Sequence, residues 1–284
     1  MNLYNIINDI EKVDPEVYDR LDGRRTYLKK FTGFAGKALA STAVFGTLGT
    51  MFKKAYGQST ADIVSILNFA LTLEYLESEF YKKGVGTTGL IPAANTAAFT
   101  TIRDHEIAHV AALRQVFTGL GGTPVTLQAS NFDFTGGNSA AGTGPYATVF
   151  TNYDTFLAVS QAFEDTGVRA YKGQAAGLMS NNTILTSALG IHSVEARHAS
   201  YVRRTRQLKG GSAASNKPWI TNNDTGGIGA GVAAVYAGEE LVTQANVAIT
   251  NINGLSISAA AASESFDEPL TRTQVEAIVD PFII

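Results

Sequence analysis

The strongest constraint on this chain is an internal repeat. "EIAHVAALRQVFTGLGG" begins at Glu106, and "EARHASYVRRTRQLKGG" begins 89 residues later at Glu195. The two share the Glu, a His three residues on (His109 and His198), an Arg (Arg114 and Arg203) and a closing Gly pair. Upstream, at an offset of 90, Glu74 aligns with Glu164 and Tyr81 with Tyr171. With thirteen glutamates in 284 residues, chance puts a Glu three residues before a given histidine about one time in twenty. Two such pairs among four histidines are then an event of about 1%. A chain that writes one unit twice is expected to fold into two like halves.

Apolar periodicity predicts helices near 60–83, 95–119, 152–178 and 182–208. The first link, "GVGTTGLIPAA", and the last, around "SNN", are short, and short links make antiparallel neighbours. The middle link, "GGTPVTLQASNFDFTGGNSAAGTGPYAT", is long enough to return along a whole helix. The expected fold class is therefore all-α: an antiparallel four-helix bundle with one long crossover between helices 2 and 3. The bundle is placed at 58–211, with 212–284 as an extension of short helices packed on it. "TRTQ" at 271–274 reads as a capping box for the last of these.

Stripes at alternating spacings of three and four select the inward faces. They run Ile63, Leu67, Ala70, Glu74, Glu77, Tyr81; Phe99, Ile102, Glu106, His109, Leu113, Val116; Tyr153, Leu157, Ser160, Glu164, Gly167, Tyr171; and Ala188, Ile191, Glu195, His198, Val202, Thr205. Every stripe carries an acid and none carries Lys or Arg. An ionised carboxylate buried alone costs several kcal/mol, and a group of them would repel one another. The midpoint of Glu74 and Glu106 falls at position 90, and that of Glu164 and Glu195 between 179 and 180, each in or beside its hairpin loop. The members of each pair therefore meet at one depth. Two divalent ions are the simplest missing partner for the four glutamates.

One Glu from each of two helices, with Glu-x-x-His from the other two, resembles the ferritin-like di-iron and di-manganese carboxylate proteins. "LNFALTLEYLESEFY", "HEIAHV" and the closing "FDEPLTRTQVEAIVDPFI" are similar to the ferritin-like domain family that includes the desiccation-related proteins. The resemblance implies two Fe or two Mn ions per chain. It makes Glu74 and Glu164 terminal ligands, Glu106 and Glu195 bridges, and His109 and His198 the caps of one ion each. Tyr81 and Tyr171 are expected to orient carboxylates. Glu77 faces inward one turn after Glu74, but its counterpart in the other half is Gly167, so Glu77 is a possible extra ligand, while Gly167 is expected to leave room for a small molecule. The implied activity is on hydrogen peroxide or oxygen, as a catalase, peroxidase or ferroxidase in oxidative-stress defence. The alternative is a stress-protective or self-assembling structural protein, whose Gly/Ala/Ser/Thr/Asn-rich loops suit contact with copies of itself in a homo-oligomer.

Residues 1–57 read differently from the rest. Arg24 and Arg25, then an aromatic residue, Leu28 and Lys29, resemble a twin-arginine export signal, and Ala55-Tyr56-Gly57 offers a cleavage site. The apolar run from Ala38 to Phe52 is shorter than the roughly 20 residues of a membrane span. The implied partner is the twin-arginine translocation machinery and the implied location periplasmic or extracellular; a basic amphipathic helix that stays attached is the alternative. Net charge is +3 over 1–57 and −6 over 58–284. An acidic body argues against nucleic acid as a partner. Arg197, Arg203, Arg204, Arg206 and Lys209 are expected to complement the dipole of the fourth helix. His105 lies off its stripe and is expected to be exposed, and His192 is expected to be structural. The absence of cysteine excludes disulfides, thiolate metal sites and catalytic thiols.

Overall fold

Helix starts are set where a side chain can satisfy the first backbone N–H groups. In the computed structural model, which describes residues 59–284, helix α1 (Thr60–Gly86) begins after Ser59. The Ser59 hydroxyl accepts from the Asp62 N–H, and Asp62 accepts in return from the Ser59 N–H. Helix α2 (Ala93–Leu120) begins after Pro92 and is stopped by Gly121 at φ 68°, a left-handed cap that suits glycine. Asn152 caps α3 (Tyr153–Ala175), and Asn181 caps α4 (Asn182–Lys209). Helix α3 tightens into a 3-10 turn over Ala176–Leu178, so the helical run ends where the periodicity predicts. The twin-arginine pattern at Arg24 and Arg25 lies outside the described residues.

Helix α1 pairs along α2, and α3 along α4. Two hydrogen bonds fix how the hairpins face each other. Tyr81 of α1 donates to Glu164 of α3, and Tyr171 of α3 donates to Glu74 of α1. Position rises along α1 as it falls along α3, so these helices are antiparallel. Helix α2, antiparallel to α1 through its short link, therefore runs parallel to α3. This all-α bundle, with its long crossover between α2 and α3, has the topology expected from the link lengths. All six stripe positions of α1 are buried, as are those of α4, and only Val116 on α2 and Tyr153 on α3 are partly exposed.

The crossover is irregular but anchored at both ends. Asn68 of α1 accepts from the Val125 N–H and donates to the Thr123 carbonyl. Farther on, buried Asp133 accepts from the Thr135, Gly137 and Ser139 N–H groups, holding a turn together. The C-terminal residues seal this segment. Asp133 N–H donates to the Phe282 carbonyl, Asn138 N–H to Pro281, and Ile284 N–H to Asn131.

The extension contains α5 (Ala233–Tyr236), a hairpin of β1 (Thr243–Gln244) and β2 (Val247–Ala248), α6 (Ala259–Ser263) and α7 (Arg272–Val279). Thr271 and Gln274 form the expected capping box before α7. The extension is fastened to α3 through buried charge. Arg169 pairs with Glu239 at 2.7 Å and donates to the carbonyls of Glu268, Val235 and Ala237. Gly173 lets the chain cross α3 at close range, because a Cβ there would lie 1.9 Å from the Leu270 carbonyl oxygen.

The basic cluster on α4 corrects the dipole reading. Arg203 and Arg206 are buried, and they serve side-chain and carbonyl acceptors rather than the helix end. Arg203 donates to Asp165 at 2.7 Å and to the Lys217 carbonyl at 2.9 Å. Arg206 donates to Gln161 and to the Gly226 carbonyl. Arg114, the repeat counterpart of Arg203, donates to the Tyr75 hydroxyl and the Val125 carbonyl. Each repeated arginine thus ties the partner helix of its hairpin to the chain that leaves its own helix.

Candidate metal centre

The helical register places Glu74, Glu106, Glu164 and Glu195 at one level of the bundle, all 0% exposed. His109 and His198 close the same level from α2 and α4 and are nearly as buried. Two donor groups result. Glu74, Glu106, His109 and Glu195 each offer one atom within 4.8 Å of the others, and so do Glu106, Glu164, Glu195 and His198. Glu106 and Glu195 belong to both groups.

The distances are short, but many of the donors do not bond to one another. The Nδ1 of His109 lies 3.1 Å from each of Glu74 Oε2, Glu106 Oε2 and Glu195 Oε1. The Nδ1 of His198 lies 2.8 Å from Glu106 Oε1 and 3.3 Å from Glu164 Oε2, without the angles of a hydrogen bond. Among the described residues, seven buried side-chain atoms lack a hydrogen-bond partner; five are Glu106 Oε1, Glu164 Oε2, both oxygens of Glu195 and His198 Nδ1. Buried polar atoms are rarely left unmatched. Convergence of carboxylate oxygens and imidazole nitrogens on common points is the donor chemistry of a divalent metal site. The clusters could hold metal ions.

The protonation pattern reflects the crowding. Burial raises Glu74 to about 7, with Glu106 adding to the effect against a hydrogen bond to His109. Burial also raises Glu164, and it drives Glu195 and Glu77 well above the carboxylate range, reinforced by the carboxylates around each. Glu106 goes the other way: burial opposes its charge, but His109 and His198 overcome that and bring it to about 2. Burial alone would lower His198, yet Glu164 and Glu106 raise it to about 11. His109 is raised in the same manner by Glu106, Glu195 and Glu74. Without metal, the surrounding carboxylates thus favour the protonated form of both imidazoles.

The two tyrosines do touch carboxylates, but across the hairpins. Tyr81 donates to Glu164 Oε1 at 2.5 Å, and Tyr171 donates to Glu74 Oε1. Glu77 is buried beside the centre but belongs to neither donor group. Gly167 does not open a space for a small molecule. A Cβ there would lie 3.0 Å from Glu195 Oε2 and 3.4 Å from Glu77 Oε1, so the room the glycine leaves is taken by two carboxylates.

His192 belongs to neither donor group, and burial lowers its pKa, with Asp267 opposing that shift and Lys172 adding to it. His105 is exposed, as its place off the stripe predicts, yet its Nδ1 lies 2.9 Å from His198 Nε2. That contact escaped stripe reasoning, because it joins an off-stripe residue of one helix to an on-stripe residue of another. No curated protein matches the chain. The family model described as "Ferritin-like domain" matches residues 62–208, which take in nearly all of α1 and α4, the elements between them and every one of the six donors. With that match covering more than half of its length, the chain belongs to the ferritin-like domain family.

Proposed function

We propose that this centre binds two iron or two manganese ions and that the protein acts on hydrogen peroxide or oxygen. The observation that carries the proposal is the cluster of partnerless donor atoms within two donor groups that share Glu106 and Glu195. In this reading Glu74, Glu106, His109 and Glu195 would hold one ion, and Glu106, Glu164, Glu195 and His198 would hold the other. Four carboxylates balance the charge of two divalent ions, removing the cost of burying them unpaired. Such a pair of ions, when bound, supplies the two electrons needed to reduce a peroxide or oxygen.

The chain's own residues set the conditions for that chemistry. Tyr81 and Tyr171 donate to Glu164 and Glu74 and hold one oxygen of each in place, leaving Glu164 Oε2 without a partner and Glu74 Oε2 facing His109 Nδ1. Burial of all four glutamates keeps bulk water away from the donors. Glu77 is pushed well above the carboxylate range by burial and by Glu195, and we assign it as a possible extra ligand on the side where Gly167 leaves room for its carboxylate. With no cysteine in the chain, electrons from outside come from a separate reductant. We extend the proposal to location: Arg24 and Arg25 direct the folded protein through the twin-arginine machinery to the periplasm or beyond.

The test is metal content by inductively coupled plasma mass spectrometry, beside a Glu106→Ala, Glu195→Ala double variant. About two iron or manganese ions per chain, lost in the variant, with turnover of peroxide or oxygen, is the expected result. Neither metal in the wild type after anaerobic loading with Fe(II) or Mn(II) would sink the proposal. Complete burial of the glutamates also suits a metal that merely joins the two hairpins. Stoichiometric metal that raises Tm without turnover would assign that structural, stress-protective role.

A further inference from the structure

Beyond Glu77, which Gly167 matches, the two halves of the centre differ at a second point outside the donors. His105 Nδ1 lies 2.9 Å from His198 Nε2. The two rings are nearly parallel, 14° apart, with centroids separated by 5.2 Å. That combination places them edge to edge, so the hydrogen bond runs close to the ring planes. At the matched position of the other half stands Val194, which can neither donate nor accept through its side chain. Among the described residues, none hydrogen-bonds the Nε2 of His109.

The polarity of the contact follows from the donor geometry. His198 directs Nδ1 toward Glu106 and Glu164. An imidazole that binds metal through Nδ1 carries its remaining proton on Nε2. That N–H donates to His105 Nδ1, which places the His105 proton on its own Nε2. A ligating histidine whose second nitrogen is held in this way is fixed in tautomer and ring orientation.

We infer that His105 is a positioning residue that tethers His198 and so strengthens the ion at His198 without affecting the ion at His109. The inference rests on the di-metal reading of the centre. It makes the two ions inequivalent although the six donors are arranged symmetrically. His105 touches neither donor group's carboxylates by hydrogen bond, so it acts on the metal only through His198.

The test is titration of metal-free wild-type protein with Co(II) alone, by competition with a chromophoric chelator, beside His105→Ala and His105→Asn. An exposed residue can be replaced without loss of fold, and far-UV circular dichroism checks this. Wild type is expected to bind two Co(II) ions. His105→Ala should weaken one of them about 10- to 100-fold, the usual cost of losing such a partner, and leave the other unchanged. His105→Asn, whose side-chain oxygen can accept from the His198 N–H, should recover most of the loss. In the proton NMR spectrum of the Co(II) form, one hyperfine-shifted imidazole N–H should exchange faster with water in His105→Ala only. Two ions bound as in wild type by His105→Ala would overturn the tether while leaving the di-metal reading intact. Equal weakening of both ions, unrelieved by Asn, would also overturn it. Failure of the wild type to bind Co(II), Fe(II) or Mn(II) would remove both.

Discussion

At the scale of single residues, the centre is a crowd of acids that tolerate one another through small accommodations. Gly167 is the clearest. A methyl group there would press on Glu195 Oε2 from 3.0 Å and on Glu77 Oε1 from 3.4 Å. Replacing a helix-interior glycine by alanine favours the helix by up to about 1 kcal/mol, so Gly167→Ala should leave metal-free stability within about 1 kcal/mol of wild type. Displacing Glu195 should nonetheless cost about tenfold in affinity for metal, read by chelator competition; unchanged affinity would show that Glu195 can shift freely. The six donors were legible in the sequence because helical spacing puts them all on inward faces. Their company was not. The tyrosines lie on the same stripes as Glu74 and Glu164, but antiparallel packing of α1 on α3 sends each hydroxyl to the opposite hairpin. His105 was invisible because spacing assigns a residue to a face of its own helix and says nothing of a neighbour's reach.

At the scale of elements, the bundle and the extension meet through charge as well as through apolar contact. Arg169 and Glu239 are each about 1% exposed. Removing one partner of such a pair strands the other, at a typical cost of about 3–5 kcal/mol. Arg169→Met should therefore destabilise strongly in urea unfolding, and adding Glu239→Gln should restore part of the loss. A double variant no better than the single one would show that the carbonyls held by Arg169, not the ion pair, carry the latch. The helices and the crossover could be read from periodicity and link length, since both follow from local chain geometry. The inward turn of Arg203 and Arg206 could not. Their partners Asp165, Gln161 and Gly226 come from α3 and the extension, and only the folded arrangement brings them together.

At the scale of the whole molecule, stability and metal should be linked through protons. His198 rises from an ordinary 6.5 to about 11, and Glu74 from 4.5 to about 7. Both groups bind protons more tightly in the folded chain than in the unfolded one. Their stabilisation is fully present below the unfolded values and is lost as pH rises through the folded ones. Glu106 has the opposite sign, but its window lies below 4.5. Denaturant unfolding in the presence of a chelator should therefore show stability falling as pH rises from 4.5 to about 7, through Glu74, and onward from 6.5 toward about 11, through His198. Metal binding requires deprotonated donors, so affinity should rise over the same range with release of protons. The gap in Tm between loaded and metal-free protein should widen as pH increases. A metal-free protein that grows more stable toward pH 9 would mean that the acids are charged without metal.

The seal between the crossover and the C-terminal residues has a further consequence, in time rather than in space. Asn131, Asp133 and Asn138 find their partners in residues 281–284, which leave the ribosome long after the crossover and all four long helices. While synthesis is under way, the bundle can pair its helices but cannot close the segment that joins its halves. Closure waits on residues 281–284 and is therefore a late event in the synthesis of the fold.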